Sequence, residues 1–204
     1  ISCPLTLGAP LSHHPLSSVT RKGARVCAAP CRKRDLRVTK RAPGYVELHC
    51  HSAYSFLDGA SQPEELAVRA VELGYEALAL TDHDGVYGSL EFAHAAKAFG
   101  VRPITGAEVT LRDGSHVTLL VESARGYANL CRLLTAAHAG TRPDSKTRSV
   151  ALDPALDQAL LEELNEGLVC LSGCSRLGLG VGNPNAAAPL AQAFGRERFF
   201  IELQ

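Results

Sequence analysis

The sequence lacks several features that would assign it to a common class of protein. Its 204 residues include no methionine and begin with isoleucine, so we expect a fragment or a translated sequence without its true beginning. No apolar run is long enough to span a membrane, so we expect no membrane partner. The seven cysteines form no regular framework, and neither Cys27 with Cys31 nor Cys170 with Cys174 has the second pair that a zinc ribbon needs. A reduced, cytoplasmic protein is therefore the simpler interpretation.

Acidic residues are nearly absent from the first part of the chain. Nine of the 21 Lys and Arg lie at or before Arg41, where the only acid is Asp35. The remainder carries 12 basic and 20 acidic residues, a formal balance of −8. A basic tail can bind nucleic acid, but residues 1–43 show neither helical nor strand periodicity. We therefore predict a basic, disordered or non-native tail over residues 1–43 and a folded domain over residues 44–204.

Strand and helix patterns alternate from residue 44 onward. "SQPEELAVRAVELG" predicts a helix with Ser61 as its cap and Gly74 at its end. "YVELHCH" and "YEALALTDHDG" predict strands on either side of it, and "RDGS" is a turn signal between two later strands. This alternation predicts an α/β fold with a largely parallel sheet. Since neither a dinucleotide fingerprint nor a P-loop is present, a barrel with its site at the strand ends is favoured over a nucleotide-binding open sheet.

Side chains that can bind a metal ion stand near the predicted strand ends. His49 and His51 alternate along the first strand, so both point to the same face. His116 follows the hairpin turn, so it lies at the same edge as the end of the preceding strand. The candidate ligands are His49, His51, Asp58, His83, Glu108, His116 and Cys174. Any one of them could be a surface or packing residue, as we expect for His94 and His138. Their joint position at five strand ends is what favours a site.

The donor types indicate the metal and the chemistry. A mixture of His, Asp, Glu and Cys suits zinc, manganese or iron better than calcium or magnesium. So many candidates exceed the needs of one tetrahedral ion, which predicts a multinuclear site. Closely spaced metal ions activate a bridging water and hold a phosphoryl group during its displacement. The residues therefore predict a metal-dependent hydrolase, with a phosphoester as the favoured substrate class.

Four stretches of the sequence resemble the PHP (polymerase and histidinol phosphatase) domain. They are "ELHCHSAYSFLDGAS", "ALALTDHDGVYG", "ITGAEVTL" and "HVTLLVESARGYANLCRLLTAAH". These motifs are most similar in sequence to the N-terminal part of bacterial DNA polymerase III alpha subunits, in the error-prone, repair-associated branch. The resemblance implies a distorted TIM-like (β/α)7 barrel with a cluster of up to three metal ions. It places the ligands on the seven candidate residues named above.

The family closes its site with an Asp-x-His-like motif, which this chain does not reach by Gln204. The resemblance therefore implies an incomplete barrel with its C-terminal strands missing, and a metal site that lacks two ligands. It also implies Zn or Mn in the cluster. Mg would serve a polymerase region outside this chain.

The resemblance leads to three alternatives for function. In the first, the chain is part of a DNA polymerase acting in replication, repair and translesion synthesis, and its cluster is a phosphoesterase, for example a 3′–5′ exonuclease. In the second, the cluster is catalytically silent and only stabilises that polymerase. In both, DNA, a sliding clamp and other repair proteins are the expected partners. The third is a free-standing phosphatase of the histidinol-phosphatase type, against which the polymerase-like stretch "GYANLCRLLTAAH" argues.

Overall fold

The computed structural model describes residues 44–142, 152–179, 181 and 185–203. Within these ranges, five helices and five strands alternate along most of the chain. The helices are α1 (Pro63–Leu73), α2 (Ser89–Ala98), α3 (Ala124–Ala137), α4 (Gln158–Glu163) and α5 (Ala188–Phe194). The strands are β1 (Ala77–Leu80), β2 (Arg102–Thr110), β3 (His116–Val121), β4 (Leu168–Leu171) and β5 (Phe199–Phe200). The tail predicted over residues 1–43 lies outside the described residues.

The strands form one sheet in the order β1-β2-β3-β4-β5, which does not close in the described part of the chain. β1 pairs with β2, and β4 with β5, in parallel, whereas β3 is antiparallel to both of its neighbours. The prediction of a largely parallel sheet thus needs correction, since the sheet is mixed. The reason is the short hairpin between β2 and β3, because a parallel pair would need a longer crossover. The other four strands share one direction, and the fold is an open, partial α/β barrel.

The segment at the first histidine pair was predicted to be a buried strand, and this prediction is wrong. It runs beside β1 with a single parallel bridge between Glu47 and Leu78. The N–H of Ala79 donates to the carbonyl of Glu47, at 2.9 Å, and the N–H of Thr81 to that of Cys50, at 2.8 Å. These few hydrogen bonds hold the segment against β1 without extending the ladder into a strand.

The N-terminal cap of α1 lies one residue beyond the predicted one. Gln62, not Ser61, precedes the helix, and its N–H donates to the carboxylate of Glu65 at 2.9 Å. Pro63 is the reason, because it suits the first helical position and keeps the residue before it out of the helix. The predicted end is confirmed, since Gly74 has a φ of 73° and its N–H reaches the last turn of the helix.

Alternation along the strands separates helix-facing residues from residues of the opposite face. In β3, Val117 and Leu119 pack in the buried cluster with α3, α4 and α5, whereas Leu120 packs in a second, smaller cluster with Ala79 and Leu171. A third cluster joins α1 and α2 to β1. The helices therefore cover one face of the sheet, and the other face leads to the site described below. No helix among the described residues is both long and apolar enough to cross a lipid bilayer.

Helix α3 passes so close to the turn before β4 that only glycine fits at the crossing. A Cβ at Gly126 would overlap the carbonyl of Gly167, so we expect Gly126→Ala to lower the free energy of unfolding by about 1–3 kcal/mol. Urea unfolding measures the change. Gly140→Ala is the matched control, because a Cβ there meets no atom within 4 Å. Equal stability of the two variants would show that the turn moves aside at little cost.

Candidate metal centre

Six of the seven predicted site residues lie together at one edge of the sheet. His49 and His51 come from the segment beside β1, and the loop after them contributes Asp58. His83 follows the end of β1 and forms a parallel bridge with Glu108, which lies near the end of β2. His116, the sixth, is the first residue of β3. Four parts of the chain thus meet where β1 and β2 end and β3 begins.

Glu108 lies at the centre of this cluster. Its neighbours Ala107 and Val109 belong to the helix-facing cluster, so alternation points Glu108 to the opposite face. Its Oε2 atom lies 3.4 Å from Nε2 of His49, 3.0 Å from Nε2 of His51 and 3.2 Å from Nε2 of His83. Its Oε1 atom lies 3.3 Å from Nδ1 of His116. The Glu108 side chain is only 2% exposed, so the imidazoles rather than water are the hydrogen-bond partners of its carboxylate.

Asp58 forms the open side of the cluster. Its Oδ2 atom lies 2.7 Å from Nδ1 of His51 and 3.0 Å from Nε2 of His83. Its side chain is 52% exposed, and that of His83 is 28% exposed. Each of His51, Asp58, His83 and Glu108 offers one ligand atom, and these four atoms lie within 4.8 Å of one another. The arrangement leaves one side accessible to solvent, as catalytic metal sites do and closed structural sites do not.

The ionisation of the cluster shows strong coupling between imidazoles and carboxylates. Burial lowers the pKa of His49, but hydrogen bonds with Glu108 and Glu202 outweigh it and raise the pKa to about 10. Burial raises the pKa of Glu108, but hydrogen bonds from His116, His49 and His51 hold it well below its ordinary range. Hydrogen bonds from His83 and then His51 outweigh burial and lower the pKa of Asp58. A metal ion that binds here must displace protons from imidazoles, since ligands bind in their deprotonated form.

The residues present fit a divalent metal ion. Imidazole nitrogens together with carboxylate oxygens are the donors that zinc and manganese accept, and calcium prefers oxygen alone. His49 and His116 contact Glu108 but stand outside the group of four whose ligand atoms converge within 4.8 Å. They would complete a cluster of more than one ion, which is the arrangement that the sequence predicts.

Cys174, the seventh candidate, lies in a loop next to the cluster but outside the group of four residues whose ligand atoms converge. Its thiol is free and partly buried, and its carbonyl accepts a hydrogen bond from the N–H of Gly178 at 2.8 Å. Gly178 in turn forms a bridge with His116, which brings this loop beside the cluster. Among the described residues, the converging group of four does not include Cys174, so its role as a ligand stays a prediction.

Two acidic residues at the site were missed in the sequence. Asp82 is 1% exposed and accepts hydrogen bonds from the N–H of Ser52 at 2.7 Å and from the hydroxyl of Ser55 at 2.8 Å. Its position beside His83 in "TDHDG" was the available signal. Glu202 lies 2.7 Å from Nδ1 of His49, although the two residues are distant in the chain. Nothing in the local pattern of "FIELQ" indicates this contact.

The two helix histidines are packing or surface residues, as expected. His94 is exposed on α2. His138 caps the C-terminus of α3, and its Nε2 atom donates to the carbonyl of Asp84 at 2.7 Å. Neither contributes to the cluster around Glu108.

Comparison with known sequences identifies the family to which this metal-binding geometry belongs. The sequence profile described as "PHP domain" matches residues 47–204, which include every residue of the cluster. The chain belongs to the PHP domain family. A solved structure of a putative metal-dependent phosphoesterase from Bifidobacterium adolescentis has the same fold, with a TM-score of 0.52 at 15% identity. That similarity covers 77% of this chain and 76% of the other.

Curated relatives of this chain are much longer proteins. The chain is 41% identical over 174 residues to a protein named error-prone DNA polymerase from Symbiobacterium thermophilum, covering 78% of this chain and 16% of the relative. It is 38% identical over 216 residues to another of that name from Cutibacterium acnes, covering 96% of this chain and 18% of the relative. The chain thus spans less than a fifth of the length of these relatives.

Proposed function

We propose that the cluster around Glu108 binds up to three divalent metal ions, zinc or manganese, and hydrolyses phosphoester bonds. The observation that carries this proposal is the convergence of two imidazoles and two carboxylates within 4.8 Å of one another, those of His51, Asp58, His83 and Glu108. Two further imidazoles contact the buried Glu108, and Asp58 and His83 leave the group open to solvent. We assign the seven candidate residues, including Cys174, as the ligands. Metal ions bound there would polarise the phosphoryl group and lower the pKa of a bound water.

The exposure of each side chain indicates its part in metal binding and hydrolysis. Glu108, buried beneath the imidazoles, holds the ligands of several chain segments in one geometry. Asp58 and His83 line the open side, where a phosphoester would enter. Hydrogen bonds from His83 and His51 to Asp58 outweigh burial and lower the pKa of Asp58. The Asp58 carboxylate is therefore ionised at neutral pH. It is then available to a cation without first losing a proton.

We propose further that this PHP domain works within a DNA polymerase of the error-prone type. The names and identities of the relatives support this. The substrate of the cluster would then be DNA, and 3′–5′ exonuclease action is the favoured form of the activity. Repair and translesion synthesis in the cytoplasm, a sliding clamp as partner, and Mg in a separate polymerase region belong to the same proposal. The relatives give no comparable support to a free-standing phosphatase of the histidinol-phosphatase type.

A nuclease assay on the purified protein tests the proposal. Single-stranded DNA labelled at its 5′ end should be shortened from the 3′ end when Zn²⁺ or Mn²⁺ is added. Glu108→Gln keeps the size of the side chain but removes its charge, and it should lower the rate at least about tenfold. Glu122→Gln is the matched control, because Glu122 is an exposed glutamate after β3. Equal rates for the wild type and Glu108→Gln would contradict the proposed site.

The alternative of a catalytically silent, stabilising metal cluster has one supporting observation. Glu108 is deeply buried and joins parts of the chain that are far apart in sequence, so a metal there would cross-link the fold. If this alternative is right, the wild type hydrolyses neither DNA nor bis(p-nitrophenyl) phosphate. Its melting temperature should nevertheless rise on addition of Zn²⁺.

A further inference from the structure

We propose that Glu202 is the positioning residue of His49, which holds its imidazole in the tautomer that presents Nε2 to the metal cluster. The carboxylate Oε1 of Glu202 lies 2.7 Å from Nδ1 of His49. The two side chains are 12% and 6% exposed respectively, so water competes little for this hydrogen bond. The inference rests on the proposed metal site and adds to it a residue outside the candidate ligands.

The two nitrogens of His49 face different groups. Nε2 lies 3.2 Å from Nε2 of His51 and 3.4 Å from Oε2 of Glu108, inside the cluster. Nδ1 faces Glu202 and, at 3.3 Å, the hydroxyl of Thr118. A neutral imidazole has one N–H and one lone pair, and an ionised carboxylate can only accept. The shorter contact therefore places the proton on Nδ1 and leaves the lone pair of Nε2 for a metal ion.

The backbone holds Glu202 in a defined place. Its N–H donates to the hydroxyl of Ser172 at 3.0 Å, and the N–H of Ser172 donates to the carbonyl of Phe200 at 2.9 Å. Ser172 directly follows β4 and Phe200 ends β5. Glu202 thus approaches His49 from the β5 edge of the sheet. Carboxylates that fix a histidine ligand in this way typically change metal affinity 10- to 100-fold.

Metal affinity, measured without any substrate, tests this role. Co²⁺ is titrated into the purified protein and followed by its visible absorption, with a chelator competing for the ion. We expect Glu202→Ala to weaken Co²⁺ binding about 10- to 100-fold. Glu202→Gln should recover part of the loss, because its amide oxygen can accept the same hydrogen bond. Glu197→Ala is the matched control, since Glu197 is an exposed acid of the same final segment.

A double-mutant cycle separates positioning from general stability. In a His49→Ala background, Glu202→Ala should have no further effect on Co²⁺ affinity, because the imidazole that it positions is gone. Equal losses in both backgrounds would overturn the inference, as would unchanged affinity in Glu202→Ala. If the wild type binds no Co²⁺, the proposed metal site fails and this inference with it. If it binds Co²⁺ but hydrolyses nothing, only the catalytic proposal fails.

Discussion

Replacing both His49 and His51 with alanine should lower the metal content of the protein at least about tenfold, since even the outer partners of a ligand contribute 10- to 100-fold to affinity. These two imidazoles lie 3.4 and 3.0 Å from the buried carboxylate of Glu108. Within the described part of the chain, their removal leaves that carboxylate with His83 and His116 as its imidazole neighbours. Metal content is measured by elemental analysis after dialysis of the purified protein.

His94→Ala is the control for this experiment, because it removes an exposed histidine from α2. It should leave the metal content unchanged. A double variant that keeps its full metal content would contradict the assignment of the cluster. If the double variant loses metal, its phosphoesterase activity and melting temperature distinguish a catalytic metal cluster from a structural one. Loss of phosphoesterase activity with little unfolding indicates catalysis, whereas a lower melting temperature without an activity to lose indicates structural support.

Replacing Asp82 with alanine should destabilise the fold by about 3 kcal/mol or more, since each buried donor left without a partner costs about 1–3 kcal/mol. Asp82 accepts hydrogen bonds from the N–H and hydroxyl of Ser52 and from the hydroxyl of Ser55. All three residues are buried, so water does not replace the lost acceptor. The loop that these bonds hold also carries Asp58, so metal affinity should fall together with stability.

Urea unfolding in the presence of a chelator measures this effect apart from metal binding. Asp113→Ala is a matched control, since Asp113 also accepts hydrogen bonds from the N–H and hydroxyl of a serine, Ser115, but on the surface. It should change stability by less than about 1 kcal/mol. Asp82→Asn keeps one acceptor oxygen and should lie between the two. If Asp82→Ala and Asp113→Ala cost the same, Asp82 does not anchor the loop.

The sequence alone determined most of the elements and the ligand types. Capping and glycine signals located α1 to within one residue, and the Asp-Gly turn located the β2–β3 hairpin. These signals succeed because they depend on residues adjacent in the chain. Alternation along a strand predicted one common face for His49 and His51. Their segment is not a strand, but both imidazoles do contact Glu108. The sequence motifs also indicated the PHP domain family, to which the chain belongs.

Tertiary structure decided what depends on partners distant in the chain. Whether the segment around His49 joins the sheet depends on the hydrogen bonds that β1 offers it, and it receives too few to become a strand. The burial of Asp82 depends on the serines that fold over it. The contact of Glu202 with His49 joins two residues that are 153 positions apart in the chain. A local pattern carries no information on such distances, because they result from the packing of the whole chain.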